Sequence, residues 1–179
     1  MSRGAPAPGD RLTAAEVIRL LGLAPLPREG GFFAETYRSE LRFPAESLPP
    51  AYGQPRHAGT AIYYLLTPET FSVLHRLRGD EVYHFYLGDP VELVCLGPAP
   101  DEGRVLRLGQ GLTAGDRPQA VVGAGLWQGS RLTPGGRWAL LGTTMAPGFD
   151  FADYEHGERQ PLLDLFPSFA DRIRELTAE

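Results

Sequence analysis

The stretch His75-Arg76-Leu77-Arg78-Gly79-Asp80-Glu81-Val82-Tyr83-His84-Phe85-Tyr86-Leu87-Gly88 decides how the chain folds. Period-two alternation puts His75 and Leu77 on one face of a strand. The Arg78-Gly79-Asp80 turn then reverses the chain, so that Glu81 opens the next strand. With that register His75, Leu77 and Glu81 can all point into the interior of a closed sheet. His84 lies three positions from Glu81, so alternation sends it to the opposite face, as a surface or interface histidine.

Outward from this hairpin, short runs rich in β-branched and aromatic residues recur over 60–66, 71–77, 81–87, 91–96, 104–108, 119–122, 126–130 and 138–145, separated by Gly, Pro and Asp. Runs at this spacing predict an all-β sandwich or jelly roll. Residues 32–38 can also be extended, and the Pro-rich segment 44–55 reads as a long surface loop. At the start of the chain, Thr13 followed by Glu16 forms a capping-box signature for a short helix carrying Val17, Ile18, Leu20 and Leu21, which Gly22 ends. A C-terminal helical segment is expected over 161–176, interrupted at Pro167. Residues 1–10 are small and Pro-rich and are expected to be disordered, leaving 11–179 as a single domain.

Composition narrows the function classes. All 17 positive side chains are Arg, and the chain has neither Lys nor Asn. A Schiff-base lysine, a pyridoxal-phosphate anchor and a P-loop are therefore excluded, as is an N-glycosylation acceptor. A net charge of -5 gives no basic surface for a phosphate backbone, so no nucleic-acid partner is expected. The lone Cys95 sits in the apolar run Val91-Glu92-Leu93-Val94-Cys95-Leu96 and reads as a small buried hydrophobe. Without an apolar N-terminal segment or a long apolar run, the protein is expected to be cytoplasmic with no membrane partner.

The quoted stretch resembles the first motif of the cupin superfamily. His75, Glu81 and Gly88 stand at motif positions, and Leu77 occupies the place of the second His. Gly123-Ala124-Gly125-Leu126-Trp127-Gln128 aligns with the second motif, with Gly125 matching and Gln128 in the place of its ligand His. Four further phrases bring the resemblance to the DUF985, or cupin-5, family: residues 28–39, 79–88, 125–130 and 146–154. What the resemblance implies is a double-stranded β-helix (a jelly roll, or cupin barrel), commonly homodimeric and similar in fold to dTDP-sugar epimerases and germins. It implies no particular reaction.

His75 and Glu81 are the candidate catalytic pair, since an imidazole beside a carboxylate can transfer protons near neutral pH. His75 can equally be a hydrogen-bonded pocket histidine, and Glu81 can be ion-paired with Arg76 or Arg78 at the rim. Gln128 is a candidate ligand-binding amide. Phe33, Tyr37, Tyr64, Tyr83 and Trp127 are candidates for an aromatic lining that binds a ring or sugar face, and Arg38 for an anionic group on a ligand. No metal or other cofactor is expected, because a cupin centre normally has three His and one Glu. A divalent metal, if bound, would fall to His75, Glu81 and Gln128. Two functions follow: a metal-independent isomerase or epimerase acting on a carbohydrate-like molecule, or a non-catalytic protein that binds a small polar ligand. A metal-dependent cupin enzyme is disfavoured by Leu77 and Gln128.

Overall fold

A computed structural model describes residues 12–177, so the expectation for residues 1–10 lies outside the described residues. The chain begins with α1 (Ala14–Leu21) and continues through β1 (Ala24–Pro25), β2 (Phe32–Arg38), β3 (Arg42–Phe43), β4 (Arg56–His57), β5 (Thr60–Leu66), β6 (Ser72–Leu77) and β7 (Glu81–Gly88). It proceeds through β8 (Val91–Leu96), β9 (Gly103–Leu108), β10 (Gln119–Val122), β11 (Trp127–Leu132), β12 (Ala139–Met145) and β13 (Tyr154–His156), and ends in α2 (Arg159–Leu165) and α3 (Ala170–Glu175).

Two antiparallel sheets face each other as a jelly roll. One has the order β1-β2-β5-β12-β7-β10 and the other β13-β6-β11-β8-β9. Alternation sorts the side chains as anticipated. On β8, Val91, Leu93 and Cys95 point into the barrel core, while Val94 and Leu96 point outward. On β12, Ala139 and Leu141 point inward and Leu140 outward. The outward residues are apolar because helices cover both sheets. Helix α1 packs Val17 with Leu65, Trp138 and Leu140 on one outer face, and α2 and α3 pack Leu162 and Ile173 with Leu74 and Val94 on the other.

The N-terminal helix has its full capping box: Thr13 Oγ1 accepts from the Glu16 amide at 3.3 Å, and Glu16 Oε2 accepts from the Thr13 amide at 2.8 Å. Gly22 closes it in the left-handed region, φ 64°. Four two- or three-residue strands, β1, β3, β4 and β13, carry no sequence signal, because their pairing is imposed by the neighbouring strand. The 44–55 loop contains two single 3-10 turns and is pinned by a buried ion pair, in which Arg56 Nε and Nη2 donate to Asp153 Oδ2 and Oδ1, each at 2.7 Å. This pair ties the loop to the 3-10 turn Phe151–Asp153 at the mouth of the barrel.

Candidate functional site

At one end of the barrel the two sheets enclose a cavity of about 500 Å³. Strands β2, β5 and β12 contribute Phe33 and Glu35, Thr60 and Ile62, and Thr143 and Met145, each pair two residues apart as inward alternation requires. Leu77 and Glu81 come from the hairpin that defines the fold, and Phe149, Asp150 and Phe151 come from the segment after β12. Leu26 and Glu29 descend from the loop between β1 and β2. The lining is mostly apolar, with a few polar groups converging on it, as small-molecule sites generally are.

Glu81 is 7% exposed, and its Oε2 accepts from Gln128 Nε2 at 2.7 Å. Burial raises its pKa to about 6; the neighbouring Glu29 pushes the same way, against His75, Thr143 and Gln128. Glu29 is half-buried, and its Oε1 accepts from Ser72 Oγ at 3.1 Å. Burial raises its pKa to about 7. Among the described residues neither carboxyl is ion-paired. Arg76 is committed to Glu155 and Arg78 to Asp153, so the anticipated rim pairing of Glu81 with either arginine does not form.

Glu29 is held over the barrel by local backbone geometry. The Leu26 amide donates to the Gly31 carbonyl, the Gly30 amide to the Leu26 carbonyl, and the Val73 amide to the Glu29 carbonyl at 2.8 Å. Gly31 has φ 71°, and a Cβ there would come within 2.9 Å of the Leu65 carbonyl oxygen and 2.8 Å of the Tyr64 ring. Only glycine fits. The Tyr64 hydroxyl donates to the Gly30 carbonyl at 3.0 Å, which fastens the loop to β5.

Of the residues singled out from sequence, Glu81, Phe33 and Arg38 line the cavity. Arg38 is not free for an anion: its Nε and Nη2 donate to both Glu35 oxygens, at 2.8 and 2.6 Å. His75 and Gln128 are each 1% exposed and lie beneath the lining rather than in it. The His75 Nδ1 sits 2.7 Å from the Val73 carbonyl, which can only accept, so Nδ1 carries the proton. Burial lowers the His75 pKa, keeping the ring neutral, and it stacks on Tyr154 with centroids 5.1 Å apart. Tyr64 and Tyr83 are buried in the barrel core, and the Tyr83 hydroxyl has no hydrogen-bond partner.

Trp127 corrects the expectation that it would line the pocket. The register that sends Gln128 inward sends Trp127 outward, onto the C-terminal helical cluster, with the Arg76 guanidinium 4.6 Å above its ring. Glu29, Glu35, Asp150 and the Phe149–Phe151 pair had not been singled out as site residues. The one available signal for Glu29 was its position before Gly30-Gly31, a pair suited to a sharp bend across the mouth.

The donor set does not suit a metal. Leu77 puts an alkyl side chain where a second imidazole would be needed, and the Gln128 amide already donates to the Glu81 carboxylate. Among the described residues no three His, Cys, Asp or Glu side chains converge as a ligand group.

A closed antiparallel jelly roll with this hairpin at its mouth is the cupin architecture. The chain belongs to the cupin superfamily, in the family described as Cupin superfamily (DUF985), whose profile matches residues 15–157. It is similar to a hypothetical protein from Leishmania major, with a TM-score of 0.83 and 31% identity, covering 94% of this chain and 100% of that one. Protein SO0799 from Shewanella oneidensis gives a TM-score of 0.79 and 32% identity, over 93% and 98% of the two chains. Uncharacterized protein YML079W from Saccharomyces cerevisiae is 30% identical over 139 residues, 71% of this chain and 67% of that protein. No helix among the described residues is long and apolar enough to cross a membrane.

Proposed function

We propose that this cupin barrel binds a small, carbohydrate-like molecule in its mouth and can move a proton on it without a metal, through Glu81 and Glu29. The observation that carries this reading is that two carboxyls without a cationic partner face one largely apolar cavity, each held only by a neutral donor. The apolar and aromatic walls provide contact for a ring face, and the carboxyls accept from hydroxyls. Two carboxyls with pKa values of about 6 and about 7 share protons near neutrality, as an acid and base working on one substrate must. The reading moves the catalytic role from His75 to Glu29 and keeps it at Glu81, with Gln128 positioning Glu81.

Purely non-catalytic binding is favoured by a different observation: His75, the expected base, lies outside the cavity lining with Nδ1 committed to a carbonyl. A panel of monosaccharides and polyols screened by thermal shift tests occupancy. Wild-type protein should be stabilised by at least one of them, and Ile62→Trp, which fills the cavity from β5, should lose that shift while retaining a native circular dichroism spectrum. An equal shift in Ile62→Trp refutes the site. With a ligand in hand, Glu29→Gln and Glu81→Gln separate the two roles, since an enzyme loses turnover and a binder only affinity.

A further inference from the structure

The charges around the cavity are unbalanced in a way that bears on what fills it. Glu29, Glu35, Glu81 and Asp150 face it against a single guanidinium, Arg38, which is bound bidentately to Glu35. Asp150 Oδ1 also accepts from the Ala152 amide at 2.9 Å. Arg28 stands at the rim with its guanidinium 5.7 Å from the Phe151 ring centroid. Burial keeps His75 neutral and raises the pKa values of Tyr64 and Tyr154 above the ordinary tyrosine range, while His57 stands near enough to Glu35 to help lower its pKa.

A second observation lies beneath Glu81. Gln128 is 1% exposed, and donation of its Nε2 to Glu81 fixes the amide orientation. Its Oε1, on the same carbon as that Nε2, is left buried without a partner. A buried acceptor without a donor is costly and rare, and this one adjoins the carboxylate that lines the cavity floor. Carboxylates and an orphan carbonyl oxygen together call for hydrogen-bond donors, and for positive charge.

We infer that the occupant of this cavity carries a protonated amine beside its hydroxyls, as an amino sugar or amino polyol does, and carries no phosphate or carboxylate. This rests on the proposed ligand site and specifies its chemistry. An ammonium supplies several N–H donors to the Glu81 and Glu29 carboxylates as charge-assisted bonds. A phosphate would meet the same carboxylates with no uncommitted guanidinium in the lining.

Isothermal titration of wild-type protein with glucosamine, glucose and glucose 6-phosphate tests the inference. At about pH 7, glucosamine should bind about tenfold more tightly than glucose, the increment of one charge-assisted hydrogen bond, and the phosphate should bind weakest. At about pH 5, where both carboxyls hold their protons, the preference should shrink to within about threefold. Glu81→Gln should weaken glucosamine binding at about pH 7 by roughly tenfold more than it weakens glucose binding, so that the preference disappears. Equal binding of glucosamine and glucose, or tighter binding of the phosphate, overturns the inference and leaves the ligand site standing. Binding that survives Ile62→Trp, or no binding of any of the three, overturns both.

Discussion

Replacing Glu81 by Gln should make the protein more stable, and the gain should depend on pH. Glu81 has its pKa raised from 4.5 to about 6 by burial and by Glu29. A carboxyl raised in this way binds its proton more tightly in the folded chain than in the unfolded one. Its contribution to stability is therefore full below about pH 4.5 and is lost as pH rises through about 6. At 7% exposure there is little solvent to discount, and the loss amounts to about 2 kcal/mol. The amide of Glu81→Gln is nearly isosteric, can still accept from Gln128, and does not ionise. Relative to wild type, the variant should match within about 0.5 kcal/mol at about pH 4 and be about 2 kcal/mol more stable at about pH 8. That corresponds to roughly 4–8 °C in Tm for a domain of this length. Urea unfolding of both proteins across this pH range measures the difference directly, with ionic strength held constant. A stability difference that does not change with pH, or a variant less stable at about pH 8, would refute the claim that Glu81 is held against its own ionisation. The ion-paired carboxylates, such as Asp153 and Glu35, are present in both proteins and cancel in the comparison.

Two further substitutions probe the scaffold. Asp153→Asn strips the charge that balances Arg56, a residue only 3% exposed, and should cost about 3–5 kcal/mol, seen as a fall in Tm of about 10 °C by calorimetry; a change under about 2 °C would mean that water reaches the guanidinium. Trp127→Ala should destabilise the protein by about 3 kcal/mol in urea, because its ring packs on the C-terminal cluster, and should leave affinity for a cavity ligand unchanged; lost affinity with retained stability would restore Trp127 to the site.

The barrel was legible because its information is local. The eight strand runs, the capping box at Thr13 and the turn at Gly79 all rest on alternation and turn chemistry within a few residues, and the observed strands fall within two residues of them at either end. The hairpin fixed which of its residues face inward, so Glu81 and Leu77 were placed correctly. Trp127 and Gln128 show the limit. Alternation says that they face opposite ways, but only the pairing of Gln128 with His75 across β11 and β6 says which of them faces in. Both sides of that sheet are apolar, because α2 and α3 cover the outer one, so hydrophobicity could not decide. The cavity's charge was less legible still. Arg38 looked available to an anion, since nothing at the sequence level shows that Glu35, three residues away and across a bulge in β2, turns back onto it.

The two departures from the cupin motif have a joint physical consequence. With imidazoles at the positions of Leu77 and Gln128, Glu81 would sit among metal ligands and stay ionised beside a cation. With an alkyl group and an amide there, the same buried carboxyl has no positive partner, and its proton affinity rises toward neutrality. Glu29 then arrives from a loop outside the barrel strands, carried by a bend that only Gly31 permits, and adds a second carboxyl to the same cavity. Two departures on the strands and one loop crossing the mouth thus leave two carboxyls in one cavity, their pKa values raised toward neutrality by burial.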